Sequence, residues 1–282
     1  MKRLASMLLS AFVAINILFA DEKSKSLIKV EYSETTKSHL TSEGDTIMTK
    51  YDFILQVAPG YSCYYNPRTY YVDSLMHDPV GKLVYDQVNV DALNEAVSSG
   101  KSYFEILKKN GMMSESARID FKDFDTGIIQ VWDRAGDRYR YNVAMADLVW
   151  EIGDSIKNIL GYECLNAVAD YHGRKWHAWF APDIPVQDGP WQLCGLPGLI
   201  MEAETCDGLF KFEIKGLQQS EEVLKSVFDQ DKYFDSNRKA FLKMKNYGRQ
   251  NRASQIGAMT GGQVNLANRK TTYFDLIETD YH

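Results

Sequence analysis

Asp170, His172 and His177 lie within eight residues of one another and carry the clearest chemical signal in the sequence. Imidazole and carboxylate groups bind borderline metals and pass protons near neutral pH. A two-residue hairpin turn at Gly173 and Arg174 sets Asp170 opposite His177, with His172 diagonal to His177. The three are therefore a candidate metal site or proton relay, although no further protein ligand stands beside them in the pattern. A solvent-facing hairpin also gathers such groups by chance.

Other reactive patterns are weaker. Ser98 to Lys101 spells SxxK without the companion motifs that give it meaning, and no GxSxG or HExxH occurs. Glu202 and Glu204 alternate on a strand and are expected to face solvent. Cys63, Cys164, Cys194 and Cys206 form an even set. In an oxidising compartment they allow two bridges. A Cys164–Cys194 bridge is expected, since each flanks the same strand-rich stretch. No CxxC pair or Cys/His spacing of a zinc site is present, and no cofactor is expected.

The elements that must position these residues are mainly strands. Around the first hairpin, Leu165, Ala167, Ala169 and Tyr171 share an apolar face with Trp176, Ala178 and Phe180. The alanines leave room beside the rings. A helix fills that room in a closed core; in a half-open sheet Tyr171, Trp176 and Phe180 would line a site for an apolar ligand. A second hairpin turns at Asp207 and Gly208, placing Glu204 opposite Lys211 and gathering Leu199, Met201, Ala203, Phe210, Phe212 and Ile214 on one face.

Earlier in the chain, Ile28, Val30 and Tyr32, then Tyr51, Phe53, Leu55 and Val57, alternate with polar residues as half-buried strands do. The aromatic run Tyr61 to Tyr71 is expected to pair as a short or edge strand, limited by Pro67. A helix is expected from Asp91, with Leu93, Ala96, Val97, Phe104 and Leu107 on one face and Asp91 as its N-cap. Helical patterning returns at Val223 to Phe228 and from Ser236 to about Arg252. The expected fold class is α+β and mainly antiparallel β, a curved half-barrel-like sheet with helices covering one face.

The ends bound the compartment. Lys2 and Arg3, an apolar run from Leu4 to Phe19, and Ala20 before DEKSK read as a signal peptide over residues 1–20. Residues 21–282 are then expected to form a single β-rich domain without a transmembrane segment. The chain carries a formal charge of -6, unevenly spread. From Ser236 to Phe274 it has basic residues and no acid, so the basic segment 236–270 needs an anionic neighbour: the chain's own acidic domain, an acidic partner or an anionic lipid surface. Nucleic acid is not expected as a partner of an exported protein.

The segments GYEC (161–164), HGRKWHAWFAPDIP (172–185), DGPWQLC (188–194) and GLPGLI (195–200) follow in that order. Together they closely resemble the GLPGLI family of exported proteins from Bacteroidetes, over a stretch from Leu160 to about Ile214. The resemblance implies a periplasmic location in a Gram-negative bacterium and a half-open antiparallel sheet; it supplies no catalytic residue. Gly195, Pro197 and Gly198 read as a structural corner, with the glycines allowing positive φ or close approach and the proline fixing the turn. The expected function is a non-enzymatic envelope protein that binds or chaperones an apolar ligand or another envelope protein. A periplasmic hydrolase and a metal-handling protein are the alternatives.

Overall fold

The structure is a computed structural model and describes residues 25–40, 46–251, 272–273 and 276–282. The expected signal peptide lies outside the described residues. Among those described, thirteen strands form one sheet in the order β12-β6-β5-β4-β3-β2-β1-β11-β10-β9-β8-β7, with β13 added beside the far end of β1. The strands are β1 (Ile28–Leu40), β2 (Thr46–Ala58), β3 (Tyr61–Tyr65), β4 (Ile119–Asp123), β5 (Ile128–Ala135), β6 (Asp137–Ala144), β7 (Glu151–Ile159), β8 (Tyr162–Tyr171), β9 (Arg174–Ala181), β10 (Leu199–Thr205), β11 (Phe210–Gln219), β12 (Phe234–Asp235) and β13 (Thr272–Tyr273). All pairs are antiparallel except β12 with β6. The sheet is open, with β12 and β7 as its edges.

Among the described residues four helices accompany it: α1 (Pro67–His77), α2 (Pro79–Ser99), α3 (Tyr103–Lys109) and α4 (Arg238–Gln250). The first three form an insertion between β3 and β4. Here the structure corrects two expectations. The aromatic run is a strand only to Tyr65; Asn66 then caps a helix, its side chain accepting from Thr69 N at 2.8 Å, with Pro67 at the first helical position. The next helix starts at Asp78, whose carboxylate accepts from Gly81 N, and not at Asp91; Gly100 ends it in the left-handed region, at φ 69°. Val223 to Phe228 is not helical, and Val223 makes a lone bridge to Lys25.

The main core joins Val30 and Tyr32 of β1 and Phe53 and Leu55 of β2 to the inward residues of β8 to β11. What packs on that inner face is the connection between β9 and β10, residues 182–198, which inserts Ile184, Trp191, Leu193 and Leu196. Helical cover is found instead at β5 and β6, where Phe241 and Leu242 of α4 meet Ile129, Val131, Tyr141 and Val143. Leu276 and Tyr281, from the last described stretch, complete that second cluster.

Candidate functional site

The first hairpin turns at His172 and Gly173, both at positive φ (53° and 81°), so Tyr171 pairs with Arg174. This is one residue earlier than the expected turn, and it slides each cross-strand partner by two. A shift of two preserves faces but not pairs. Asp170 therefore faces Lys175, and His177 faces Val168 on one side and Glu204 on the other. His172 leaves the strand altogether and is buried in the turn. The expected Asp170, His172 and His177 site is thus not assembled, and among the described residues no group of three His, Cys, Asp or Glu side chains is placed to hold a metal.

The expected apolar-ligand lining is likewise occupied. Tyr171, Trp176 and Phe180 are buried in the main core. Trp191 from the 182–198 connection fills the room beside the alanines, its ring 5.3 Å from Trp176 and 5.7 Å from Tyr171. The GLPGLI corner holds that connection in place. Gly195 takes φ 88° in open space, whereas Gly198 passes so close to β9 that a Cβ there would stand 2.2 Å from the Ala181 carbonyl oxygen. Leu199 N then donates to Ile184 O at 3.1 Å and Ile200 N to Asp188 O at 2.9 Å.

Cys164 and Cys194 are not bridged; all four cysteines are free thiols. Cys164 packs in the main core and Cys194 in the α4 cluster, so sequence flanking did not bring them together. Burial pushes both thiols up to about 11. Cys63 is buried as well, while Cys206 is exposed.

A charged cluster lies beside Trp191, between β1, β4, β5 and α4. Arg118 is its hub: its guanidinium stacks 5.3 Å from the Trp191 ring, and its Nε donates to both oxygens of Asp120 at 2.9 Å. Lys245 of α4 pairs with Asp133 of β5, and Arg238 pairs with Asp280 and, at 2.5 Å, with Glu278. The basic helix thus spends these charges on the chain's own acids. Glu34, on the side of β1 that carries Tyr32, is pushed up to about 7 by burial, against the opposing charge of Arg118. Burial also raises Glu278 and lowers Lys245. The remaining basic residues from Arg252 to Lys270 lie outside the described residues.

Sequence patterning missed an exposed apolar face. On α2 the buried face is small, with Gly81 and Ala92 inward, and the opposite face presents Val80, Leu83, Val90, Leu93 and Val97 to solvent. Val97 is 80% exposed and Leu83 69%, and Phe104 of α3 adds 65%. Leu83, Val90 and Val97 recur every seven residues, the spacing of a helix-packing seam. The expected inward face of Leu93, Val97 and Phe104 therefore points outward. The available signal was apolar residues on both sides of the helix, which marks burial against something else.

Residues 171–202 match the family described as "Protein of unknown function (Porph_ging)". The match falls inside the stretch that resembles the GLPGLI family, and the two agree. No curated protein matches the chain. Among solved structures, "Structure of PNGF-II in P21 space group" is 12% identical, with 79% of this chain and 34% of that chain covered at a TM-score of 0.49. "Structure of PNGF-II in C2 space group" is 13% identical, covering 78% and 33% at 0.44. The chain spans about a third of the length of these solved chains. Both scores fall below 0.5, so the likeness is broad and carries nothing about activity.

Proposed function

We propose that this is an exported, non-catalytic binding protein of the bacterial periplasm that docks another envelope protein through the outward face of α2 and α3. The exposed stripe of Val80, Leu83, Val90, Leu93 and Val97 on α2, with the exposed Phe104 of α3, carries the reading. Large apolar side chains clustered on one exposed helix face mark an interaction surface, since leaving them in water costs roughly 25 cal/mol per Å2. Export rests on the basic, apolar and small-residue zones of residues 1–20. Among the described residues no helix is long and apolar enough to cross a membrane.

Charge selects protein over lipid as the occupant. Lys82, Asp86, Asp91 and Glu95 of α2, with Lys101, Glu105, Lys108 and Lys109 after it, carry no net charge, so nothing draws this face to an anionic bilayer surface. Acids and bases mixed around an apolar strip suit the polar rim of a protein interface. The partner is therefore a protein with an apolar helix or groove. The apolar-ligand form of the reading loses its site to Trp191 and Leu193. The shared core of β1 to β3 with β8 to β11 supports the curved half-barrel form of the sheet.

Site-specific photo-crosslinking in the native host tests this, with the probe at Val90 and at Val97 and a control probe at Lys211. One discrete adduct with an identified envelope protein is expected from the two helix positions, lost when Leu83→Ser is added. A lipid adduct, a self-adduct, or equal labelling from Lys211 overturns the reading.

A further inference from the structure

A cleft of about 860 Å3 opens where the start of α1 and the turn after α3 meet β2 and β11. It lies apart from the outward face of α2, and neither the docking reading nor the family match gives it a role. Two rings border it, Tyr51 and the 49% exposed Tyr71. Its charges are interleaved. Arg68 Nε stands 3.2 Å from Glu115, and Lys215 Nζ stands 2.9 Å from Asp52, with Lys50 beside them. Asn66 Nδ2 fixes Glu115 at 3.1 Å, and Gly111 makes room for the Arg68 guanidinium, which a Cβ there would approach to 2.8 Å.

That lining discriminates among ligand classes. An anion meets Asp52 and Glu115 and gains only Lys50 beyond the paired bases; a cation meets Lys50, Arg68 and Lys215. A neutral molecule rich in hydroxyls avoids both conflicts, because each hydroxyl donates to a carboxylate and accepts from a base at once. Part-exposed ion pairs are worth only about 0–1 kcal/mol, so sharing them with a ligand costs little. An exposed tyrosine ring beside them offers an apolar face with a polar tip. The volume is within the range of small-molecule sites.

We propose that this cleft binds a neutral saccharide, with Tyr71 packing on the sugar ring and the Arg68–Glu115 and Lys215–Asp52 pairs bonding its hydroxyls. Saturation-transfer NMR and calorimetry on the purified full chain test it, using maltose, cellobiose and N,N′-diacetylchitobiose as probes and citrate as an anionic control. At least one sugar is expected to bind with a millimolar constant. Tyr71→Ala is expected to weaken it about tenfold and Tyr71→Phe to retain it. Tyr71 is half exposed, so both variants keep the wild-type melting temperature. No binding of any sugar at ~10 mM, equal binding by Tyr71→Ala, or tighter binding of citrate overturns the proposal.

Discussion

Lys122 Nζ lies 2.5 Å from Asp188 Oδ1, with both side chains closed off from solvent. The same ammonium donates to Gly189 O at 2.7 Å and Leu193 O at 3.2 Å. A residue of β4 thereby grips the 182–198 connection from beneath and seats Trp191 and Leu193 in the core. Removing one charge of a buried pair strands the other, at a cost of about 3–5 kcal/mol. Lys122→Met is therefore expected to lower stability in urea denaturation by that order, and Lys122→Met with Asp188→Leu to recover part of the loss. A single variant with unchanged midpoint would show that the connection is held by its apolar contacts alone.

The glycines of the corner are expected to differ. Gly198→Ala pushes a methyl into the Ala181 carbonyl and Pro182, backbone atoms that cannot rotate away. A loss of about 1–3 kcal/mol follows from such overpacking. Gly195→Ala meets open space and carries only the strain of its positive φ, about 1 kcal/mol. Thermal unfolding of the two variants checks the order, and a costlier Gly195→Ala would reverse the account.

The two hairpins show what the sequence made legible. Which side chains face the core could be read along the hairpins, because a strand's period is two and Trp176, Ala178 and Phe180 obey it. The opposition of Glu204 and Lys211 was readable too. Pairing across the first turn was not, since His172-Gly173 and Gly173-Arg174 are one residue apart and only a histidine in the left-handed region decides between them. The filling of the inner face by Trp191 depends on contacts far along the chain, which no local period reports. The start of α1 was present in Asn66-Pro67 as a cap followed by a first-turn proline, but the tyrosines around it mimic a strand.

Thiol chemistry separates the four cysteines. All are free, Cys206 is exposed, and the other three are buried with their thiols pushed up. A chromogenic disulfide reagent is expected to titrate one thiol in the folded protein at pH 8 and four after unfolding without reductant. Cys206→Ser should abolish the folded-state signal. Two thiols on unfolding would instead establish one bridge, and peptide mapping that placed it between Cys164 and Cys194 would refute their separation.

His172 gives the fold an acid-sensitive point. Burial, then the neighbouring Arg238 charge, lowers its imidazole to about 4, while Asp280, 3.7 Å from Nδ1, pulls the other way. The unfolded chain takes up this proton near 6.5, as an ordinary histidine does. Between those two values only the unfolded state is protonated, so stability falls as the pH drops from about 6.5 toward 4. The full effect is on the order of 3 kcal/mol at 1.36 kcal/mol per pH unit. His172→Asn accepts the left-handed backbone of the turn and has no proton to bind. Urea denaturation at steps from pH 7.5 to 4.5 is expected to show a shallower decline for this variant, with near-equal stability at pH 7.5. Parallel curves would mean that His172 is protonated in the folded protein, paired with Asp280, and that the acid sensitivity arises elsewhere.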